Sequence, residues 1–259
     1  MLTRFFFTTV WIAGAVLLLG CGGGDVETPT ETTAPADEPA TKMLDLSQAG
    51  SVAGKVSFTG QASRRARLRM EADPNCAAAH SSPVYFQQVE VSEGGSLNNV
   101  FVWIKEGLEG YQFDPPEEPV TLNQKGCIYR PHVFGVQTRQ DIQILNNDPT
   151  THNIHPLPAN NREWNQSQPA QGAPLMRSFP RQEVMIAVKC NIHPWMRSYI
   201  GVVSHPYFAV TGAEGEFQLK DLPPGEYTVE AWHEKLGTTE QKVTIGPSEA
   251  KQVDFTFQG

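Results

Sequence analysis

The sequence predicts an all-β protein of the β-sandwich class. Helical periodicity is nearly absent, whereas short alternating or β-branched runs recur along the chain. Glycine and proline, 22 and 20 residues, punctuate those runs as turns. Many short strands separated by such turns give packed sheets rather than helical layers.

The first 20 of the 259 residues, MLTRFFFTTVWIAGAVLLLG, carry one Arg, then an apolar run, then small residues. That order is expected of an export signal, and the run is short for a membrane span. Leu18-Leu19-Gly20-Cys21 resembles a bacterial lipobox, which implies cleavage before Cys21 and lipid on its sulfur. The protein would then be exported and anchored in the bacterial cell envelope, facing the periplasm or the exterior. Residues 21–48 read as the lipidated Cys and a disordered tether rich in Thr, Pro, Glu and Ala. Its six acids (Asp25, Glu27, Glu31, Asp37, Glu38, Asp45) against Lys42 give −5 of the chain's net −8, so net charge says little about the folded part. Arg64, Arg65, Arg67 and Arg69 read as a solvated face. No basic surface interleaved with aromatics points to nucleic acid.

In residues 49–259, SVAGKVSFTG places Val52, Val56 and Phe58 on one parity. NNVFVWIKEG is a continuous run, as in a strand buried on both faces. HVFGVQTRQDIQILNND reads as a hairpin, and residues 156–183 as a long loop. EVMIAVKC and SYIGVVSH flank the stretch KCNIHPWMRS, and the strands GEFQL, GEYTVEAW, QKVTIG and KQVDFTF complete the chain.

KCNIHPWMRS holds Cys190, His193 and Met196 in seven residues, and NNDPTTHNIH supplies His152 and His155 upstream. Thiolate, thioether and imidazole together suit copper, whose blue sites use two His, one Cys and a weak axial Met. A lone Cys-x-x-His-x-x-Met is also ordinary core material. The two motifs in this order resemble plastocyanin- and amicyanin-like cupredoxins over about ninety residues. The resemblance implies a Greek-key sandwich with one type 1 copper held by His152, Cys190, His193 and Met196. It implies Asn153 and Asn191 as hydrogen-bonding neighbours that hold the ligand loop, and His155 as a non-ligand. His193 would be the surface edge through which electrons leave, with Pro194 and Trp195 in the docking surface.

GSVAGKVSFTG and EGEFQLKDLPPGEYTVEAW resemble strands of the carboxypeptidase regulatory-like, transthyretin-type sandwich. That implies a cupredoxin-like domain at 118–207 inserted between 49–117 and 208–259, or two sandwiches in tandem. Cys76 and Cys127 are expected as a disulfide in an oxidising compartment, or, with His80 and His132, as a tetrahedral zinc site. Asp73, Asn75 and His205 receive no role, and His233 is the candidate extra ligand. The function expected is one-electron transfer between redox proteins such as a c-type cytochrome or a dehydrogenase. A carbohydrate- or protein-binding module and a copper buffer are the alternatives. Paired catalytic carboxylates and nucleophile motifs are missing, so an enzyme is not expected.

Overall fold

The structure, a computed structural model, describes residues 42–259. The expected signal, the lipidated Cys21 and the tether as far as residue 41 lie outside the described residues. The elements are β1 (Gly50–Thr59), a short helix α1 (Pro74–Ala78), β2 (Phe101–Glu106), β3 (Val120–Gln124), β4 (Tyr129–Arg130), β5 (Val133–Gln137), β6 (Ile142–Asn146), β7 (His152–Leu157), β8 (Gln166–Gln168) and β9 (Leu175–Arg177). They continue as β10 (Glu183–Lys189), β11 (Arg197–Val203), β12 (Phe208–Val210), β13 (Glu216–Leu222), β14 (Gly225–His233), β15 (Gly237–Ile245), β16 (Ala250–Gln252) and β17 (Phe255–Gln258).

The fold is all-β. One sandwich uses the chain's middle, with sheet order β5-β11-β10-β7-β8 facing β4-β3-β6-β9. Leu122, Ile142 and Ile144 from one sheet and Phe134, Ile186, Val188 and Ile200 from the other share its core. The second sandwich pairs β1 with β13, β16 and β17, and sets β12-β2-β14-β15 against them. Val52, Val56, Val102, Ile104, Leu219 and Phe255 fill that core.

β2 joins the two bodies. Phe101, Val102, Trp103 and Ile104 are all buried. The pleat sends Val102 and Ile104 into the second core, while Phe101 and Trp103 enter a cluster with Val133 and Val203 of the first sandwich. The contact needs room. A Cβ on Gly135 would stand 2.3 Å from the Phe208 ring, and one on Gly201 2.4 Å from Phe101. These two glycines are register partners on β5 and β11, so together they open a flat patch for two phenylalanine rings.

Three local expectations are corrected. β5 and β6 do not form a hairpin: β5 lies beside β11 and β6 beside β3, so the polar turn carries the chain from one sheet to the other. Alternation marks a half-buried strand but not its partner. The loop expected over 156–183 contains β8 and β9, which extend the two sheets at their edges. The chain is also held earlier than residue 48, where the Lys42 amide donates to the Gly110 carbonyl at 2.9 Å.

Candidate metal centre

β10 and β11 are antiparallel neighbours, and the sequence between them, Cys190 to Met196, closes their end. Two backbone bonds tighten the turn: Met196 N–H to His193 O at 2.9 Å, and Cys190 N–H to Met196 O at 3.3 Å. Cys190, His193 and Met196 are therefore fixed by a sheet rather than by a free loop. β7 lies on the other side of β10, with His155 in register with Lys189, and so brings His152 to the same end.

His152, Cys190 and His193 meet there with one potential ligand atom each, all within 4.8 Å of one another. The two Nδ1 atoms are 2.9 Å apart, and Cys190 Sγ is 3.9 Å from His193 Nδ1. All three side chains are buried, and so is Met196, 1% exposed in the same core. Among the described residues, the other two clusters of metal-ligating groups each contain a disulfide cysteine.

Each imidazole has a carboxylate behind it. His152 Nε2 donates to Asp148 Oδ2 at 2.8 Å, and His193 Nε2 to Asp73 Oδ2 at 3.0 Å. A carboxylate on Nε2 orients the ring and turns Nδ1 toward its neighbours. Asp148 also accepts from the Gly126 and Cys127 amides, at 2.6 and 2.8 Å. Burial alone would raise the Asp148 carboxyl, but these donors hold it below the ordinary range. Burial likewise works against a charged His152, yet Asp148 and Cys190 bring it up to about 8. For His193, burial outweighs Asp73 and the shift is downward. Burial would raise the Cys190 thiol, but hydrogen bonding with His152 and the surrounding donors, His193 N–H among them, brings it down.

Asn153 holds the cysteine end of the turn. Its Oδ1 accepts from Asn191 N–H at 2.7 Å and lies 3.3 Å from Cys190 Sγ, while its Nδ2 donates to Asn165 at 2.6 Å. The Asn191 side chain is 3.2 Å from His155 Nδ1, and His155 Nε2 contacts Glu163 at 2.6 Å, which directs His155 away from the cluster.

The expectation that His193 forms a surface edge is corrected. His193 is 3% exposed, because α1 covers it. Asp73 is the N-cap of α1, one carboxylate oxygen accepting from the Asn75 and Cys76 amides while the other holds His193. Cys76 Sγ stands 3.6 Å from His193 Nε2. Cys76 and Cys127 are joined as a disulfide. The zinc alternative is not formed: His80 Nε2 bonds the Gly126 carbonyl at 2.7 Å and His132 Nε2 meets Glu234 at 2.5 Å. Pro194 is exposed, whereas Trp195 is half-buried, its ring 5.1 Å from that of His193 and its indole N–H on the Cys127 carbonyl at 3.0 Å. His233 joins no ligand cluster among the described residues.

Asp73 and Asp148 were not expected at the site. Asp148 stands four residues before His152, and Asp73 opens an Asp-Pro helix start, so each had a local signal. Nothing local placed that helix over His193, 120 residues away.

Residues 201–258 match the family model of the carboxypeptidase regulatory-like domain. No curated protein matches the chain. Among solved structures, a Cu-containing nitrite reductase from Thermus scotoductus aligns at 19% identity over 34% of this chain and 23% of its own, with a TM-score of 0.31. A purple cupredoxin from Nitrosopumilus maritimus aligns at 17% identity over 32% of this chain and 98% of its own, with a TM-score of 0.28. A point mutant of amicyanin in its Cu(I) form aligns at 14% identity over 39% of this chain and 97% of its own, with a TM-score of 0.30.

Proposed function

We propose that this protein holds one copper ion and carries single electrons between redox proteins at the bacterial cell envelope, tethered through a lipid on Cys21. What supports the reading is the pair of inward-facing Nδ1 atoms, 2.9 Å apart, each on a ring whose Nε2 is committed to a carboxylate. Two imidazole lone pairs cannot stably face each other at that distance without a proton or a cation between them. With the Cys190 thiolate and the Met196 thioether, the donor set suits copper.

His152, Cys190, His193 and Met196 would hold the ion, and bound copper would supply a one-electron couple. Asp148 and Asp73 orient the rings, Asn153 ties β7 to the Cys190 end of the turn, and the burial of every ligand excludes water. A site filled by chain ligands leaves no open position for substrate, so the reading is electron transfer and not catalysis. Buried ligands beneath a stapled helix also favour retention of the ion over the ready exchange expected of a buffer. Exchange partners of this kind, a c-type cytochrome or a dehydrogenase, dock through small interfaces.

Loading with Cu(II) followed by visible absorption and redox titration tests the proposal. An intense thiolate-to-copper band is expected, lost in Cys190→Ser. A colourless copper-loaded protein would sink it.

A further inference from the structure

Every candidate ligand is buried, so communication with the surface must pass through a neighbouring group. Trp195 is one such neighbour. Its ring lies 5.1 Å from His193, and it lines a cleft of about 270 Å³. Three arginines, Arg65, Arg130 and Arg197, line the same cleft, together with Tyr85 and His132. The walls come from the segment before β2, from β4 and β11, and from Glu234, the residue that follows β14.

The charges in this cleft do not balance. Two acids face it. Glu90 is taken by Arg65 at 2.8 Å. Glu234 is taken by His132 at 2.5 Å and by the Tyr199 hydroxyl at 2.9 Å. Arg130 and Arg197 enter no ion pair among the described residues. Three guanidinium groups thus line an aromatic-walled cleft against two carboxylates, and the exposed Arg130 and Arg197 are the two that are in no ion pair. Guanidinium forks pair with planar oxyanions, and aromatic walls accept planar rings. The volume is that of a one- or two-ring molecule and too small for a protein loop.

We propose that this cleft binds a small planar organic anion, its carboxylate or sulfonate between Arg130 and Arg197 and its ring toward Trp195. The cleft stands whether or not the metal centre is a copper site. Its role as the place where an electron carrier meets Trp195 and His193 rests on the copper reading.

The test titrates metal-free wild-type protein with naphthalene-2-sulfonate by calorimetry at about 0.15 M salt, where long-range attraction is screened. One site with a dissociation constant below about 1 mM is expected, together with a shift of the Trp195 indole N–H resonance, assigned through Trp195→Phe. Arg130→Gln and Arg197→Gln, each at an exposed position, should weaken binding at least about tenfold. Arg162→Gln, at an exposed arginine that does not line the cleft, should leave it unchanged. No binding by wild type, or equal binding by Arg130→Gln and Arg197→Gln, overturns the proposal. The assay contains no copper, so failure of the copper reading appears separately, as a missing visible band.

Discussion

Replacing Asp148 by Asn tests whether one carboxylate organises both the turn at Cys127 and the ring of His152. Asp148 is 3% exposed and accepts three hydrogen bonds, from Gly126, Cys127 and His152. Asn keeps one acceptor oxygen and sets an NH2 group against at least one of those donors. A buried donor left unsatisfied costs about 1–3 kcal/mol, and the remaining bonds lose their charge assistance, so a loss of about 3 kcal/mol is expected. The pH dependence is more diagnostic. His152 titrates near 8 in the fold and near 6.5 unfolded. A raised pKa contributes stability that is full below about 6.5 and is lost as pH rises through 8, here about 2 kcal/mol. Without Asp148, only Cys190 is left to oppose burial, and the His152 pKa falls from about 8 toward its ordinary value. Urea denaturation of the metal-free protein across pH 6–9, with NMR titration of His152, measures both effects. In Asp148→Asn the decline above pH 6.5 should shrink. A variant within about 0.5 kcal/mol of wild type whose His152 still titrates near 8 would refute the reasoning.

Three further substitutions probe other parts of the fold. Cys76→Ser/Cys127→Ser opens a loop with a sequence separation of 51, which chain-entropy reasoning values at about 4 kcal/mol; melting with and without a reductant checks it, and identical curves would count against it. Gly201→Ala drives a methyl to 2.4 Å from the Phe101 ring, and overpacking of this kind costs about 1–3 kcal/mol, read as a lower denaturant midpoint. His205 and His233 are both held near 4 by burial. The unfolded chain therefore takes up protons first as pH falls from about 6.5 to 4, each of these two histidines costing about 3 kcal/mol, and His233→Gln should remove its share of that acid-side slope in denaturation curves, leaving that of His205 and of the likewise lowered His193.

The parts of this molecule legible in its sequence are those that lie close together along the chain. Cys190, His193 and Met196 sit in one turn between two apolar strands, so their meeting follows from the pattern of β10 and β11. The continuous apolar run of β2 announced burial on both faces, and the structure divides its residues between two cores. The strand partners of β5 and β6 were illegible, because alternation around a polar turn looks the same whether the chain returns in one sheet or crosses to the other. The cover over His193 was illegible for a different reason. It depends on a tertiary contact between α1 and a turn more than a hundred residues away, and the five residues of α1 carry no apolar stripe that would reveal it.

That cover changes what the site demands of its surroundings. A solvent-exposed imidazole edge would let a partner dock directly on His193, leaving its Nε2–H to water. Here the same N–H is held by Asp73, whose other oxygen caps α1, and α1 is stapled by Cys76 to Cys127. Cys127 N–H in turn donates to Asp148, which holds His152. The two histidines are thus linked through one disulfide as well as through the metal-facing side. A shift of α1 would be felt at both rings, and the orientation of either ring should depend on the integrity of the staple. His152 in Cys76→Ser/Cys127→Ser should consequently titrate below about 8 even though neither cysteine touches its carboxylate through a side chain, because the Cys127 amide that helps fix Asp148 loses its anchor. An unchanged His152 titration in that double variant would show that Asp148 is positioned by its own turn and that the staple serves stability alone.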